Sequence, residues 1–251
     1  MNYNLNNKTA LITGSSRGIG LQISRLLHEQ GCKIALNSRQ TTDLVNESKK
    51  LDKSIYLVGD VTNNNEAERI IKNFIKHFGK LDILICNVGD GSSVSPGDET
   101  IEEWEKSIKK NLFSATNMIQ YSIPFLKETK GCIVCISSIC GLESIPNAPL
   151  TYSSSKAALN SFIKGISRPL GKYGVRVNAI APGNILFEGS NWQKKINEDS
   201  ASVFSMIKKE VPLGNFGTLD DIAHLASYLS SPISNFITGS IFTIDGGQIR
   251  S

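Results

Sequence analysis

Apolar residues fall into two alternating patterns along the chain: short continuous runs and longer stretches with helical spacing. The first run, residues 9–13, is bounded by Gly and Ser and predicts a buried strand. The next stretch, residues 18–30, places Ile19, Ile23 and Leu27 on one helical face. The chain is therefore expected to begin with a strand followed by a helix.

The same alternation continues to the end of the chain. Further strands are predicted at residues 33–37, 55–58, 81–86, 132–137, 175–180 and 240–244, and helices at 42–50, 65–78, 101–126, 152–173 and 220–229. Apolar strands separated by helices are typical of a parallel sheet covered on both faces. The pattern predicts an α/β fold with a doubly wound parallel sheet of about seven strands, in a single domain over residues 1–251.

One polar segment, residues 184–213, interrupts this regularity and is predicted to be a substrate lid. It contains Trp192, which could be a substrate platform or an anchor of the lid. Two lysines follow, Lys194 and Lys195, which either bind an anionic substrate or face water.

Composition narrows the classes of partner. The 251 residues carry a net charge of +4, with Lys and Arg scattered among Asp and Glu. This argues against nucleic acid, for which a basic stripe is expected. Residues 1–7 lack the pattern of a signal peptide, and no run reaches the roughly 18 apolar residues of a membrane span. A cytoplasmic location without a membrane partner is expected.

Cysteine usage predicts buried thiols in place of disulfides or a metal site. The five cysteines are Cys32, Cys86, Cys132, Cys135 and Cys140, an odd number largely within apolar runs. Cys132 and Cys135 are three apart in a predicted strand, so they point to opposite faces and cannot share a ligand.

A glycine-rich segment, Thr-Gly-Ser-Ser-Arg-Gly-Ile-Gly at residues 13–20, joins the first strand to the first helix. Glycines there permit a tight turn and close approach of a pyrophosphate, and free amides at the helix start attract an anion. Dinucleotide contacts are predicted at Gly14, Ser16, Arg17, Gly18, Ile19 and Gly20.

The end of the second strand indicates which dinucleotide is bound. Residues 37–39 read Asn-Ser-Arg, where an enzyme using NAD usually places an acidic residue against the ribose. Arg39, beside Ser38, can pair with a 2′-phosphate, and Arg17 lies on the same side. NADP(H) is therefore the predicted cofactor.

A tyrosine and a lysine stand four residues apart at the start of a strongly helical stretch. Side chains at this spacing lie on one face within about 6 Å of each other. The ammonium of Lys156 is expected to lower the pKa of Tyr152 and make it a proton donor and acceptor.

Further motifs occur in order along the chain: Asp60-Val61, Asn87-Val-Gly89, Asn111, Ser138, Tyr152-Ser-Ser-Ser-Lys156 and Pro182-Gly183. Together with the glycine segment, they resemble the short-chain dehydrogenase/reductase family over essentially the whole chain. Within that family the chain looks most like the 3-oxoacyl-(acyl-carrier-protein) reductases. The resemblance implies a Rossmann-type fold and an NADP-dependent oxidoreductase acting on CH–OH and C=O groups.

The resemblance also implies roles for individual residues. Tyr152 would exchange a proton with the substrate oxygen, Ser138 would polarise that oxygen, Lys156 would hold the nicotinamide ribose, and Asn111 would support a water relay. The implied dinucleotide contacts, besides the glycine segment, Ser38 and Arg39, are Asp60, Val61, Asn87, Gly89, Tyr152, Lys156, Pro182, Gly183 and Ile185. A small-molecule or carrier-bound carbonyl is the implied substrate. A homotetramer or homodimer is expected, paired through the helices at 101–126 and 152–173.

The chain departs from the family pattern in two places. One residue is inserted between Ser138 and Tyr152, which leaves Ser137, and more remotely Ser144, as competing candidates for the catalytic serine. The threonine usual after Pro182-Gly183 is missing, and the chain continues to Phe187 instead.

Two other functions stay open on sequence alone. One is an oxidoreductase acting on a sugar or nonulosonate for surface polysaccharide. The other is a non-catalytic NADP-binding regulator, a class in which loss of the tyrosine or lysine is usual, although both residues are present here.

Overall fold

A computed structural model describes residues 3–250 of the chain; Met1, Asn2 and Ser251 lie outside the described residues. The strands are β1 Thr9–Ile12, β2 Lys33–Ser38, β3 Ile55–Val58, β4 Ile83–Cys86, β5 Cys132–Ile136, β6 Arg176–Pro182 and β7 Ile241–Ile244. They form one parallel sheet in the order β3-β2-β1-β4-β5-β6-β7. This confirms the predicted doubly wound sheet. The strand order changes direction between β1 and β4, where such sheets open a crevice at their carboxyl edge.

The helices cover both faces of this sheet. They are α1 Gly18–Glu29, α2 Thr41–Lys50, α3 Asn64–Phe78, α4 Ile101–Ile108, α5 Ser114–Thr129, α6 Leu150–Gly171, α7 Asn191–Glu210 and α8 Leu219–Ser230. A π-helical turn, Lys109–Phe113, joins α4 to α5. The helix predicted at residues 101–126 is therefore interrupted by a widened turn, a feature that often marks a functional site.

Side chains of each strand alternate between two separate cores. From β1, Ala10 and Ile12 pack with residues of α1, α2 and α8, whereas Leu11 packs with residues of α3, α5 and α6. Cys132 and Cys135 likewise lie in different cores, as the strand periodicity predicted. All five cysteines are free thiols.

The polar segment at residues 184–213 contains a helix that the sequence pattern did not predict. Ser190 caps α7 by accepting a hydrogen bond from the backbone N–H of Gln193 at 3.1 Å. Few side chains of α7 are buried, Val203 and Ile207 among them, and the helix is kinked at Asp199. Because the kink breaks the 3.6-residue period, the apolar face was too weak to recognise.

Two absences hold for residues 3–250. No helix there is both long enough and apolar enough to cross a bilayer. No group of three or more His, Cys, Asp or Glu side chains in that range could hold a metal ion.

Candidate active site

The predicted site residues follow the carboxyl ends of the strands. The glycine segment follows β1, Asp60 follows β3, Asn87 follows β4 and Ser138 follows β5. Ser38 is the last residue of β2 and Pro182 the last of β6, and Arg39 and Gly183 follow them directly. In a parallel sheet these ends share one edge, so six separate segments of the chain meet along a single crevice.

The glycine loop is tied to β4 by a side-chain amide. Asn87 donates from Nδ2 to the carbonyls of Thr13 and Gly14, both at 3.0 Å. A Cβ at Gly20 would stand 2.6 Å from both Asn87 Nδ2 and the Gly14 carbonyl oxygen, so only glycine permits this packing of α1. Gly14 itself has a φ of +62°, which favours glycine.

The amino terminus of α1 is suited to an anion. Arg17 occupies the N-cap position, and its side chain makes no capping hydrogen bond. The first amides of a helix lack intrahelical partners and carry the positive end of the helix dipole. The loop therefore fits the diphosphate of a dinucleotide.

Two exposed arginines stand near this loop. Arg17 and Arg39 are both solvent-exposed, and within residues 3–250 neither takes part in an ion pair. Ser38 is half-buried and accepts a hydrogen bond from the backbone of Gln40 at 3.2 Å. The two guanidinium groups are thus available to a phosphate, in line with the predicted 2′-phosphate contact.

Other predicted cofactor residues offer mainly backbone groups. Val61 and Ile185 are buried in the two cores, so their side chains pack inside the protein. Asp60 accepts a hydrogen bond from the backbone N–H of Thr62 at 2.9 Å, which shapes the turn after β3. Gly183 donates its N–H to the Ile244 carbonyl at 2.8 Å and links β6 to β7.

The catalytic candidates converge at the start of α6. The ammonium nitrogen of Lys156 lies 5.9 Å from the centre of the Tyr152 ring, the spacing predicted for residues four apart on a helix. It donates a hydrogen bond to the Ile136 carbonyl at 2.8 Å. The Ser138 hydroxyl is hydrogen-bonded to Tyr152. Two residues from separate segments, Ser138 and Lys156, thus lie beside the phenol of Tyr152.

The choice between adjacent serines follows from their partners. Ser137 donates its hydroxyl to Asn160 Oδ1 at 2.6 Å, and both residues are buried. Ser138 points to Tyr152 instead and accepts the N–H of Cys140 at 3.2 Å. Ser144 is exposed. The geometry therefore favours Ser138, despite the inserted residue.

Electrostatics at Tyr152 differ from the sequence-based expectation. Burial raises the pKa of Tyr152, the hydrogen bond with Ser138 opposes this rise, and the neighbouring Cys140 and Asp90 add to it. The predicted lowering by Lys156 is wrong for this arrangement, because burial is the dominant effect and the ammonium is directed to the Ile136 carbonyl. Burial also lowers the pKa of Lys156 to about 8, so the ammonium is still mostly charged at neutral pH.

Asn111 lies on the π-helical turn, and its side-chain amide contacts the backbone of residues 89–90 beside Lys156. Its Oδ1 accepts the N–H of Asp90 at 2.8 Å, and its Nδ2 donates to the Asp90 carbonyl at 3.1 Å. A Cβ at Gly89 would stand 2.9 Å from Lys156 Nζ and 3.0 Å from Asn111 Oδ1. Gly89 therefore allows Asn111 and Lys156 to approach the same backbone.

Two features near the site were missed in the sequence. Asp90 forms an ion pair with Lys110, the neighbour of Asn111, at 2.5 Å. The sequence could have indicated this residue, because Asp90 is an acidic residue directly after Asn87-Val-Gly89. The ring of Phe187 lies over Gly18, where a Cβ would stand 2.8 Å from it. The absence of the usual threonine after Pro182-Gly183 had drawn attention to this segment. Residue spacing alone, however, could not show that the Phe187 ring lies against Gly18.

Comparison with known proteins identifies the family of this chain. Residues 14–248 match the family model described as enoyl-(acyl carrier protein) reductase, a model of the short-chain dehydrogenases. The chain is 34% identical to 3-oxoacyl-(acyl-carrier-protein) reductase of Chlamydia trachomatis, over 96% of this chain and 97% of that protein.

Solved structures show the same fold. L-sorbose reductase of Gluconobacter frateurii, complexed with NADPH and L-sorbose, superposes with a TM-score of 0.94 at 27% identity over 100% of both chains. The NADP complex of RhlG from Pseudomonas aeruginosa gives a TM-score of 0.91 at 26% identity over 98% of both chains. The chain therefore belongs to the short-chain dehydrogenase/reductase family.

Proposed function

We propose that this chain is an NADPH-dependent short-chain reductase, similar to the 3-oxoacyl-thioester reductases, that interconverts a carbonyl and a hydroxyl carbon. One observation carries the proposal: Ser138, Tyr152 and Lys156 meet beside the glycine loop at the carboxyl edge of the sheet. A side chain that exchanges protons thus lies near the expected position of the nicotinamide.

The cofactor is NADP(H), which supplies or accepts the hydride at the substrate carbon. The uncapped start of α1 holds the diphosphate, and Arg17 and Arg39 take the 2′-phosphate. These two arginines distinguish NADP(H) from NAD(H), because the latter has no phosphate on its ribose.

The protein's own residues handle the proton. In the direction of reduction, Tyr152 donates its phenolic proton to the carbonyl oxygen, and Ser138 donates a hydrogen bond to the same oxygen. Lys156 would bind the nicotinamide ribose through its ammonium group. The hydrogen bond with Ser138, which lowers the pKa of Tyr152, stabilises the phenolate that remains. Asn111 supports the water relay that returns a proton to Tyr152. In the direction of oxidation these steps run backwards.

Turnover assays test the proposal directly. Purified protein is mixed with NADPH and a panel of 3-oxoacyl thioesters, keto sugars and cyclic ketones. With at least one substrate, the absorbance of the reduced nicotinamide should decrease as NADPH is oxidised. Tyr152→Phe should lower kcat by about 10²–10⁴-fold, the usual contribution of general acid catalysis, while NADPH binding is kept. Equal turnover by the wild type and Tyr152→Phe would refute the assigned role of the phenol.

A keto sugar is the second candidate substrate, because the rim around Tyr152 carries polar side chains. Asn191 on the lid helix donates to the hydroxyl of Ser92 at 3.3 Å, and both side chains are exposed. Hydroxyl and amide groups of this kind suit a polyhydroxylated substrate better than an acyl chain. Higher kcat/KM for keto sugars than for acyl thioesters of similar size would favour this candidate.

The proposal extends to assembly and location. A homotetramer or homodimer is supported by apolar side chains left exposed on the helical run 101–129 and on α6: Ile101 is 73%, Phe113 48% and Leu150 46% exposed. A cytoplasmic location stays a prediction; free thiols suit a reducing compartment. A single domain over residues 1–251 with a lid near 184–213 is likewise proposed.

A further inference from the structure

Asp90 connects three parts of the active site. Its backbone N–H and carbonyl both bond to the side-chain amide of Asn111, at 2.8 and 3.1 Å. Its carboxylate accepts hydrogen bonds from Lys110 at 2.5 Å and from the backbone N–H of Ser92 at 2.9 Å. A single residue thus holds the π-helical turn that carries Asn111 against the loop after β4.

The glycines on either side of Asp90 lie against the catalytic side chains. A Cβ at Gly89 would stand 2.9 Å from Lys156 Nζ, and a Cβ at Gly91 would stand 3.7 Å from the Tyr152 ring. The backbone around Asp90 therefore sets the distance between Asn111, Lys156 and Tyr152. A shift of this loop would change all three positions together.

We propose that Asp90 is a positioning residue of the active site, which fixes Asn111 and Lys156 relative to Tyr152 and, with Lys110, balances the charge beside the phenol. The proposal rests on the reductase function proposed above. It concerns an acidic residue that takes no part in the hydride and proton transfers themselves.

The charges near Tyr152 determine the direction in which its pKa should shift when Asp90 or Lys110 is replaced. Lys156 stands on α6, Cys140 follows β5 and Asp90 follows β4, with Lys110 of the π-helical turn paired to Asp90. Burial by itself would raise the pKa of Asp90, but the hydrogen bonds from Lys110 and Ser92 outweigh it and lower that pKa. Asp90 is therefore an anion at neutral pH, and it raises the pKa of Tyr152.

Removing either partner of the ion pair should move the pH profile in opposite directions. Asp90→Asn removes a negative charge and leaves the Lys110 cation, so the phenolate becomes easier to form. Lys156, whose pKa is about 8, also loses its proton more easily once the negative charge is gone, so the midpoint at which reduction is lost on the alkaline side should fall. Lys110→Gln leaves Asp90 unpaired, and the midpoint should rise.

The expected size of each shift is about 0.5 pH unit. A bare charge close by shifts a pKa by roughly 1–3 units, but the side chains of Lys110 and Asp90 are 31% and 32% exposed, so solvent screens them. The double variant should return close to the wild-type midpoint. High salt should reduce both shifts.

Matched controls separate this effect from general loss of charge. Lys72→Gln breaks an exposed ion pair with Glu68 on α3, and Asp52→Asn changes a side chain that is 83% exposed. Both should keep the wild-type profile and kcat. Shifts of Asp90→Asn and Lys110→Gln in the same direction, or no shift in either, would overturn the proposed charge balance.

A second measurement tests the positioning role without turnover. In hydrogen-exchange mass spectrometry, Asp90→Ala should speed amide exchange in residues 89–92 and 109–113, whereas Asp52→Asn should not. Unchanged exchange there would overturn the positioning role. The two proposals can fail separately. If the wild type binds NADPH but reduces no carbonyl, while Asp90→Ala still speeds exchange in residues 89–92 and 109–113, the reductase function is refuted and the positioning role is supported.

Discussion

At the scale of single residues, adjacent side chains after β5 have different hydrogen-bond partners. Ser137 bonds to Asn160 inside the protein, and Ser138 bonds to Tyr152 at the crevice. Their directions differ because successive residues of extended chain point to opposite sides. Only one of the two hydroxyls can therefore reach a substrate oxygen.

Substituting each serine should separate catalysis from stability. Ser138→Ala should lower kcat by about 10²-fold, the usual effect of removing one donor to the reacting oxygen, with little change in unfolding. Ser137→Ala should keep most of kcat but lower the free energy of unfolding by about 1–3 kcal/mol, because Asn160 Oδ1 loses its partner. Steady-state kinetics and urea unfolding measure the two effects, and a larger kcat loss in Ser137→Ala would reverse the assignment.

The selectivity for NADPH should depend on an exposed guanidinium. Arg39→Ala should weaken NADPH binding by about 10–100-fold, since a charge-assisted hydrogen bond contributes roughly 1.5–3 kcal/mol. Binding of NADH, which lacks the phosphate, should not change. Titrations followed by nicotinamide fluorescence give both constants; Arg25→Ala, on α1 and paired with Glu47, is the control.

At the scale of elements, helix ends hold the two sides of the crevice. The loop after β6 bonds to the start of α8 through Leu186 and Gly217, at 3.0 Å. Thr218 and Asp221 then cap α8 reciprocally, each side chain accepting the other's backbone N–H. Because α8 packs beside α1 in one core, this cap stabilises the layer that supports the glycine loop.

Loss of the cap should destabilise the fold. Thr218→Ala should lower the free energy of unfolding by about 1 kcal/mol, the typical contribution of an N-cap side chain. Thr42→Ala, at an exposed position inside α2, should leave stability equal or slightly higher, because Ala favours helix. Urea unfolding followed by circular dichroism compares the two; equal loss in both variants would contradict the role of the cap.

At the scale of the whole molecule, one surface remains apolar. Ile108 and Phe113 line an open hollow of about 510 Å³ on the helical run 101–129, and Ile101 is exposed on the same run. Exposed apolar groups grouped in this way often mark an interface between proteins. The proposed pairing of this helical run with a second copy would cover them.

A charge placed on this surface should break the assembly. Phe113→Glu should shift the protein to a smaller species in light scattering at micromolar concentration, because an unpaired carboxylate would be buried. Tyr56→Glu, on edge strand β3 and similarly exposed at 45%, should keep the wild-type mass. A wild-type monomer under these conditions would contradict the proposed oligomer.

The sequence by itself determined the features that depend on short-range order. Alternation of apolar runs with helical spacing predicted the seven strands β1 to β7 and the α-helices other than α7, with α4 and α5 predicted as a single helix, because each element shows its own period. The glycine segment after β1 and the Tyr152–Lys156 pair were equally visible, since both depend on residues a few positions apart.

Only the tertiary structure decided the features that join distant parts of the chain. The pairing of Asp90 with Lys110, the partners Asn160 of Ser137 and Tyr152 of Ser138, and the contact of Phe187 with Gly18 all link residues at least 14 positions apart. Burial, which raises the pKa of Tyr152 where the neighbouring lysine was expected to lower it, is likewise a property of the packed molecule. The periodicity of the sequence predicts on which face of its own helix or strand a side chain lies. The packing of the elements against one another determines which residues that side chain contacts.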